Sequence, residues 1–317
     1  MTGTVILNYN NSSDTINCIK SVVEYNTADV KFVVVDNGST DGTCVAEIDF
    51  AMKSLFPGEY VRIEEGNTDK GRVVLPKAVF FVGKGNVGYA QGNNKGLDLL
   101  YRDDTVDNVL ILNSDILFVS DVIPQLEHYL SVLPQCAIVS PLLLGRDREH
   151  IDYSCARKAK TLREFFLENL FLHHDIFGFL SKMNRRIGIL SDSGLLNEKS
   201  IEIELPSGSC MLLDKSFFRQ IGSFDPRTFL FYEENILHAK VRREGRRNYL
   251  IPYLKVVHLA GTSMNKETSF FREKKGRDSL IYYLKAYTGA GRFYLIAIRF
   301  LTMVNMYYRA YVYKKLV

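Results

Sequence analysis

Short apolar runs alternate with polar loops along the first third of the chain. Thr4 to Leu7, Lys31 to Val35, Val79 to Val82 and Val109 to Leu112 are rich in β-branched and other apolar residues, and each run predicts a strand. In the run that starts at Lys31, KFVVV, four consecutive apolar residues are typical of a strand buried on both faces of a parallel sheet.

Segments with helical periodicity separate these strands. An apolar face between positions 16 and 23 predicts a helix, for which Ser13 or Asp14 would be the N-cap. A second helix is expected from Gly88 to about Leu100. Residues 61–74 interrupt the alternation and predict an extra hairpin or an insertion. Strands that alternate with helices indicate an α/β fold with a mostly parallel central sheet flanked by helices.

The second half of the chain follows this pattern less regularly. Residues 146–204 have no clear period, apart from a helix expected around Leu162 to Leu172. Cys210 to Leu213 and Tyr253 to Val257 predict strands, and Lys215 to Ile221 predicts a helix. The middle segment is therefore the part whose role the pattern leaves open.

The end of the chain is basic, aromatic and helical in pattern. From Arg272 onward, ten Lys and Arg stand against two Asp and Glu, a net charge of +8, so the rest carries −4 within the total of +4. Residues 278–317 predict helices, with few breakers after Gly291. We therefore divide the chain into a main domain, residues 1–265, and a basic aromatic helical tail, residues 266–317.

The composition of the tail predicts a partner for it. Tyr and basic residues beside an apolar face suit a lipid headgroup interface, so we expect contact with an anionic membrane surface. The alternative is that the tail helices pack on the rest of the chain or in a homodimer. We expect no nucleic-acid partner, because the body is acidic and no nucleic-acid module is present.

Composition also limits the class of protein. The 317 residues, 46% hydrophobic and 24% charged, are ordinary for a globular protein of one or two domains. Five dispersed Cys without a C-x-x-C pair argue against disulfides and zinc and fit a reducing compartment. Met1 leads into a strand without a signal-peptide pattern, and no run approaches the roughly 18 apolar residues of a spanning helix. We expect a cytoplasmic protein, peripheral to the inner face of the cell membrane.

Polar residues stand where the predicted strands end. Ligands bind at the carboxyl ends of strands in open α/β sheets, so four such clusters indicate one shared crevice. The clusters are Asn8-Tyr9-Asn10, Asp36-Asn37, Asn86 to Asn93, and Asn113-Ser114-Asp115. The alternative is that Asn and Asp are simply common in turns. Because a buried unpaired carboxylate is very costly, Asp115 either faces a cleft or holds a cation.

The usual phosphate-binding loops do not accompany this crevice. The pattern G-x-x-x-x-G-K-[ST] is absent, and the first strand is followed by NYNN at 8–11 rather than by G-x-G-x-x-G. A bound nucleotide would have to be held by Asp, Asn and a metal ion.

Six segments in order carry a family resemblance. They are VILNYN at 5–10, VVVDNGSTDGT at 33–43, GNVGYAQGNNKG at 85–96, LILNSD at 110–115, PSGSCMLLDK at 206–215 and IGSFDPRTFLFYEENILHAKVRREG at 221–245. The series resembles the inverting family 2 glycosyltransferases, especially bacterial rhamnosyltransferase-like enzymes, over residues 4–262. The resemblance implies a GT-A fold, here with a C-terminal helical extension.

The resemblance also implies a donor site. Asp36 is similar to the residue that contacts the base and the ribose, and Asn86 and Gly88 match a loop near the donor sugar and diphosphate. For these last two, a plain strand-to-helix turn is the alternative. The expected nucleotide-sugar contacts are Asn8, Tyr9, Asn10, Asp36, Asn37, Asn86, Gly88, Asn93, Asn113, Ser114 and Asp115.

A divalent cation follows from the same resemblance. In the family, an acidic-x-acidic element after a central strand binds the cation, and here Asn113 replaces the first acid and leaves Asp115. His258, after the last predicted strand, would complete the site. Mg²⁺ or Mn²⁺ suits these ligands and would neutralise the departing diphosphate. The alternatives are a turn-capping Asp115 and a packed His258; His173, His174 and His238 are expected to be structural.

The proton acceptor is expected in FLFYEEN. The family pattern at this place is Glu-Asp with the second acid as base, so Glu234 would be the base and Glu233 a supporting contact. A later acid of many relatives is replaced by Ile236, which leaves the choice between the two open. Acids at a helix start are also favoured by the helix dipole, which is the alternative.

The function expected from these residues is inverting transfer of a sugar. The donor would be dTDP-rhamnose or a UDP-hexose, and the acceptor a lipid-linked glycan or oligosaccharide of a bacterial surface polysaccharide. Two alternatives remain: a sugar-1-phosphate nucleotidyltransferase, and a non-catalytic scaffold derived from a transferase that binds carbohydrate or membrane.

Overall fold

The computed structural model describes residues 1–67, 71–171, 189, 193–259 and 269–316. Its strands are β1 (Thr2–Asn8), β2 (Val30–Asp36), β3 (Tyr60–Glu64), β4 (Ala78–Val82), β5 (Asn108–Asn113), β6 (Ile116–Phe118), β7 (Cys136–Leu144), β8 (Ala156–Arg157), β9 (Ile201–Ile203), β10 (Leu205–Pro206), β11 (Cys210–Asp214) and β12 (Arg247–His258). Its helices are α1 (Ser12–Tyr25), α2 (Cys44–Leu55), α3 (Tyr89–Leu100), α4 (Ile123–Val132), α5 (Leu162–Leu170), α6 (Lys215–Gln220), α7 (Glu233–Arg243), α8 (Ser269–Tyr287) and α9 (Arg292–Leu316).

One large sheet organises the fold. Its strand order is β3-β4-β2-β1-β5-β11-β7-β12-β6, and β9 pairs with β12. Strands β3, β4, β2, β1 and β5 are all parallel, β11 runs antiparallel between β5 and β7, and β12 is parallel to β7. The predicted α/β class with a mostly parallel sheet is confirmed.

Helices cover both faces of the sheet. In β2, Phe32 and Val34 point into one apolar cluster with α1, α2 and α4, while Val33 and Val35 point into a second with α3, α6 and α7. All residues of β2 are buried, as the run KFVVV predicted. The two clusters hold the sheet rigid, so that its strand ends can carry polar side chains in fixed positions.

Two local predictions are wrong. The stretch predicted as a hairpin or insertion contains β3, which pairs parallel with β4 as the edge strand of the sheet, with Tyr60 opposite Ala78. Its residues are exposed or half-buried, as expected at the edge of a sheet, so the segment lacks the continuous apolar run that marked the buried strands. Helix α1 has Asn11 rather than Ser13 or Asp14 at its N-cap position, because the helix already begins at Ser12.

The tail helices pack on the end of the main domain. Leu284 and Ile298 are fully buried in a third cluster that also contains Phe165 of α5 and Ile236 of α7. The expected helices are confirmed, and the first of them begins at Ser269. Among the helices of the described residues, none combines the length and apolarity needed to cross a bilayer. The division at residue 265 stays a prediction.

Candidate functional site

Four strand ends meet at one edge of the sheet. Asn8 at the end of β1 lies opposite Asp36 of β2, Asp36 lies opposite Val82 of β4, and Leu7 lies opposite Asn113 of β5. Because these strands are parallel, the loops that follow them emerge side by side. The structure thus brings together the polar clusters that the sequence placed in one crevice.

Asp36 is the centre of the first cluster. Its Oδ1 accepts hydrogen bonds from Asn8 Nδ2 at 2.8 Å and from Ser39 Oγ at 2.5 Å, and its Oδ2 accepts one from the Ser39 amide at 2.9 Å. The side-chain oxygen of Asn8, Oδ1, in turn accepts a hydrogen bond from Thr15 Oγ1 at 2.8 Å. A carboxylate has about four acceptor positions, so one remains for a ligand. Asn8, fully buried, positions Asp36, while its own contact with a base stays a prediction.

The loop after β1 is tied to the loop after β2. Asn10, with φ of 53°, accepts on its side-chain oxygen from the amides of Thr40 at 2.7 Å and Asp41 at 2.9 Å. Its own amide donates to Ser39 Oγ at 2.8 Å. Tyr9 beside it is half-buried. The two loops therefore form one wall of the crevice before any ligand binds.

Asn37 and Asn86 join the next pair of loops. Asn37 Nδ2 donates to Asn86 Oδ1 at 3.1 Å and to the Gly88 carbonyl at 3.2 Å, and Asn86 Oδ1 also accepts from the Gly88 amide at 2.9 Å. Asn93, fully buried on α3, donates to the Tyr89 carbonyl at 3.0 Å, and its Oδ1 has no hydrogen-bond partner within the described residues. Donor contacts of these residues stay predictions, because their visible bonds are within the chain.

Asp115 lies beside His258, as expected, and Asp152 completes the group. Oδ2 of Asp115 is 3.6 Å from Nε2 of His258, and Nδ1 of the same ring is 2.8 Å from Oδ2 of Asp152. Burial disfavours the charged ring, but the two carboxylates outweigh burial and raise the pKa of His258 to about 9, so a cation that binds at Nε2 must displace the ring proton. The hydrogen bond to His258 is the main cause that lowers the pKa of Asp152 to about 2.

The pair Asp115 and His258 fits a cation that is held largely by its substrate. Within the described residues, no three or more His, Cys, Asp or Glu side chains are grouped to bind an ion by themselves. Mg²⁺ is commonly bound by one or two carboxylates plus substrate phosphates, and carboxylates also suit Mn²⁺. A ligand His whose other ring nitrogen bonds a carboxylate is the usual arrangement at metal sites, and Asp152 provides that carboxylate.

A short loop at 207–209 connects the strand ends to the helix that carries the two acids. The Asn113 amide donates to the Ser209 carbonyl at 2.8 Å, and the Gly208 amide donates to Oε1 of Glu234 at 3.2 Å. Oη of Tyr89 donates to the Gly208 carbonyl at 2.7 Å. A Cβ on Gly208 would lie 3.0 Å from both the Glu234 carboxylate and the Tyr89 hydroxyl. Glycine thus allows the carboxylate to approach the loop.

Glu233 and Glu234 have different surroundings. Glu233 is buried at 6% exposure, and its Oε1 has no hydrogen-bond partner in the part of the chain that the structure describes. Burial raises the pKa of Glu233 to about 8, and the neighbouring Glu234 adds to the effect. Glu233 therefore keeps its proton at pH 7. Glu234 is half-buried and bonded to the Gly208 amide.

The chain enters α7 through strained backbone. Phe231 and Tyr232, directly before the two acids, have φ of 68° and 70°. This left-handed conformation costs a bulky residue about 1–3 kcal/mol and concentrates at functional sites. The Tyr232 ring packs against both Phe165 and Tyr283, which also contact each other. Directly after this turn, Glu234 bonds the Gly208 amide of the 207–209 loop.

Several residues at the site were not found from the sequence. Asp152 lies in the segment without a clear period. In the structure its side chain accepts a capping hydrogen bond from the Ser154 amide, a local contact that does not indicate its proximity to His258. Tyr89 and Gly208 lie within matched motifs, but their spacing does not show that they meet. His173 and His174 lie outside the described residues. The structure adds four residues to those expected from the sequence: Ser39, Tyr89, Asp152 and Gly208.

The comparison with family models gives the class of protein. The model described as glycosyl transferase family 2 matches residues 4–222, which is most of the chain and includes all four strand ends. The chain belongs to glycosyl transferase family 2. The resemblance drawn from the six segments is confirmed.

Two curated relatives are similar over different lengths. A low-salt glycan biosynthesis hexosyltransferase of Haloferax volcanii is 26% identical over 161 residues, 51% of this chain and 45% of the relative. An N-acetylglucosaminyl-diphospho-decaprenol L-rhamnosyltransferase of Mycobacterium tuberculosis is 24% identical over 271 residues, 82% of this chain and 76% of the relative. The chain thus spans less than half of the archaeal relative.

Solved structures show the same fold. The crystal structure of GalNAc-T7 with UDP, GalNAc and Mn²⁺ superposes with a TM-score of 0.58 at 13% identity, covering 91% of this chain and 49% of that one. The mannosyltransferase PcManGT of Pyrobaculum calidifontis, in complex with GDP-Man and Mn²⁺, gives 0.53 at 15% identity, covering 96% and 70%. The GT-A fold is confirmed.

Proposed function

We propose that this chain is an inverting glycosyltransferase that moves a sugar from a nucleotide diphosphate donor to a hydroxyl of a lipid-linked glycan or oligosaccharide. The leading donor is dTDP-rhamnose, and a UDP-hexose is next. The product would belong to a bacterial surface polysaccharide, made at the inner face of the cell membrane. The observation that carries the proposal is the 207–209 loop, which bonds Asn113 of the strand ends on one side and Glu234 on the other.

The strand-end side would bind the donor. Asp36 has one acceptor position left and would take a hydroxyl or N–H of the nucleoside, while Asn8 and Ser39 hold the carboxylate in place. The linked loops at 37–40 and 86–88 would surround the diphosphate and sugar. These contacts are formed by backbone and amide groups already fixed by internal hydrogen bonds, so little ordering is needed on binding.

Asp115 and His258 would hold Mg²⁺ or Mn²⁺. Bound there, the ion would neutralise negative charge on the leaving diphosphate. Asp152 keeps the ring oriented through its 2.8 Å contact with Nδ1, so that Nε2 is directed to Asp115. Asp115 itself is held at the strand end, where its carbonyl accepts from the Leu259 amide at 2.9 Å.

Glu234 would take the proton of the acceptor. The acceptor oxygen forms a bond to the anomeric carbon as the bond from that carbon to the diphosphate breaks, and the hydroxyl proton passes to the Glu234 carboxylate. Glu233 is less suited to this role at pH 7, because burial raises its pKa to about 8 and favours the protonated form. A positioned base contributes typically about 10²–10⁴-fold. The single displacement inverts the configuration of the sugar.

The names of the relatives support the choice of substrates. The mycobacterial relative is an L-rhamnosyltransferase whose acceptor sugar is carried on a diphospho-decaprenol lipid. The archaeal relative is a hexosyltransferase of glycan synthesis. Rhamnose and hexoses are accordingly the first donors to test, with a lipid-diphosphate glycan as acceptor.

A donor screen tests the proposal. The purified chain is incubated with dTDP-rhamnose and UDP-hexoses in Mg²⁺ or Mn²⁺, and release of dTDP or UDP is measured with and without chelator. We expect slow hydrolysis or transfer from one donor, lost on chelation. Nucleotide binding without turnover of any donor would instead favour a scaffold. Diphosphate release from a nucleoside triphosphate and a sugar-1-phosphate would favour a nucleotidyltransferase.

A further inference from the structure

Helix α9 exposes a row of large apolar side chains. Their exposed fractions range from 90% at Phe293 and 65% at Ile296 to 37% at Val304. The members of this α9 stripe are Phe293, Ile296, Phe300, Met303, Val304 and Tyr307. Their spacing of three and four residues places them on one face of the helix. A row of this size is unusual on the surface of a monomer and marks an interaction site.

The stripe is not the face by which α9 attaches to the protein. The opposite face buries Ile298 in the cluster with α5, α7 and α8. There Asn305, also buried, donates from Nδ2 to the carbonyl and to the side-chain oxygen of Asn169 on α5, both at 3.0 Å. These polar bonds fix the rotation of α9. The stripe therefore lies on the side of α9 that faces away from this packing. Among the described residues, Phe270 contacts its end at Tyr307, with 6.5 Å between the ring centroids, and the stripe side chains stay 37–90% exposed.

The charge around the stripe selects an anionic partner. Arg292 and Arg299 are exposed and seven residues apart, so they lie together along one edge of the stripe. The segment from Arg272 to the end carries a net charge of +8. A second copy of the chain docked stripe to stripe would bring two such segments together, and their charges would repel. An anionic surface would instead be attracted by each basic residue.

We propose that the α9 stripe docks on an anionic bilayer surface, with its apolar side chains in the boundary between headgroups and acyl chains and with Arg292 and Arg299 at the phosphates. A helix that lies in this boundary presents such an arrangement of apolar side chains and adjacent basic residues. The proposal deepens the proposed function by naming a partner surface, while vesicle binding can be measured without any sugar donor.

The docked surface is connected to the acceptor side of the candidate site. Ser279 Oγ of α8 donates to the Leu230 carbonyl at 2.9 Å. Close by, the Phe231 ring packs against Gly276, where an added Cβ would lie 3.0 Å from the ring. These contacts fasten the tail helices to the backbone just before Glu233. A bilayer that holds α9 would therefore also hold the helix start that carries the proposed base.

Co-sedimentation with vesicles tests the proposal. The full chain is mixed with vesicles of phosphatidylcholine with or without 30% phosphatidylglycerol, and the bound fraction is measured against lipid concentration. Ile296→Ser and Phe300→Ser should each weaken binding by about tenfold, because each removes one buried apolar side chain. Phe50→Ser is the control, since Phe50 is 75% exposed on α2, far from α9 in the chain. It should bind as the wild type does.

The arginines provide a second, independent readout. Arg292→Gln and Arg299→Gln should each weaken binding to the anionic vesicles by about fivefold, and raising the salt should remove that difference. Circular dichroism shows whether each variant is folded. Absence of wild-type binding to anionic vesicles would overturn the proposal, as would equal losses in Phe50→Ser. A wild-type dimer that Phe300→Ser converts to a monomer, without vesicle binding, would assign the stripe to a second copy instead.

Discussion

Nδ1 of His258 lies 2.8 Å from Oδ2 of Asp152, so that Nε2 of the same ring is directed to Asp115 at 3.6 Å. The three residues come from separate parts of the chain: the end of β12, a short helical turn near residue 153 and the turn after β5. Their meeting gives the proposed metal ligand a fixed orientation. The same contact gives Asp152, which lies in the middle segment, a proposed role in orienting His258.

Asp152→Asn should weaken binding of Mn²⁺ in the presence of UDP or dTDP. Loss of the carboxylate removes the partner that orients His258, and such changes typically cost about 10–100-fold in metal affinity. The measurement is a titration of free Mn²⁺ by electron paramagnetic resonance at fixed nucleotide, which does not depend on turnover. Asp147→Asn is the control, because Asp147 is an exposed acid of the same segment. Among the described residues it bonds to the exposed His150 and to the amides of Glu149 and His150. Equal affinity in Asp152→Asn and wild type would remove this role.

The sequence could locate both proposed metal ligands, but not the carboxylate that orients the histidine. Asp115 stands out because a carboxylate comes three residues after a run of four apolar residues, and His258 comes directly after a predicted strand; both signals are local. Asp152 follows no strand of its own and lies 106 residues from His258. Two long-range contacts bring them together: β7 pairs with β12, and Ile151 pairs with Leu144 at the end of β7. Long-range contacts of this kind are set by tertiary packing, which a single pattern along the chain does not contain.

Glu234→Gln should abolish most transfer while it keeps donor binding. The amide can still accept the hydrogen bond of the Gly208 amide, but it cannot take a proton, so kcat should fall by about 10²–10⁴-fold. Nucleotide affinity, measured by calorimetry with UDP or dTDP, should stay within a few-fold. Glu233→Gln should cost less, because Glu233 is already neutral at pH 7. Glu244→Gln, at the other end of α7, is the surface control. A larger loss in Glu233→Gln than in Glu234→Gln would reverse the assignment.

Glu233 should make folding stability depend on pH. Its pKa is about 8 in the folded chain against an ordinary value of 4.5, so the folded state holds a proton that the unfolded state releases. Its contribution to stability is complete below pH 4.5 and is lost as the pH rises toward 8, at about 1.4 kcal/mol for each pKa unit. Glu233→Gln should therefore gain stability relative to wild type at pH 8 and not at pH 4.

Urea unfolding of both proteins at the two pH values measures this difference. The quantity to compare is the difference in free energy of unfolding between wild type and variant, at pH 4 and at pH 8. The other titrating groups are the same in both proteins and cancel in this difference. Glu59→Gln, at an exposed position beside β3, is the control for charge removal. A wild-type-to-variant difference that is the same at pH 4 and pH 8 would contradict a raised pKa at Glu233.

Much of the fold follows from local pattern, and its exceptions have physical causes. Strands that are buried on both faces, such as β2, can be predicted from their continuous apolar runs. The helices between them can be predicted from the spacing of their apolar residues. The edge strand β3 could not be predicted in this way, because its five residues are only partly buried and do not form a continuous apolar run. Contacts between separate motifs, such as the hydrogen bond from Tyr89 to Gly208, likewise could not be predicted, because they depend on the tertiary structure.

Gly88→Ala should destabilise the chain and disturb the acceptor side of the site together. Gly88 has φ of 86°, and a Cβ there would lie 2.3 Å from the Phe229 carbonyl oxygen, which accepts the Tyr89 amide at 2.9 Å. The left-handed backbone alone costs a residue with a Cβ about 1–2 kcal/mol, and the close contact forces Phe229 to move. We expect the free energy of unfolding to fall by about 2 kcal/mol or more, measured in urea.

Gly42→Ala is the matched control, because a Cβ at Gly42 would have no heavy atom within 4 Å and its backbone is not left-handed. Its effect should stay within about 0.5 kcal/mol. Since Phe229 precedes the strained turn into Glu233 and Glu234, turnover of the Gly88→Ala chain should also fall at temperatures where it remains folded. Wild-type stability in that variant would mean that the 85–88 loop and the segment at Phe229 do not approach each other as the structure shows, and the link between donor loop and proposed base would be lost with that contact.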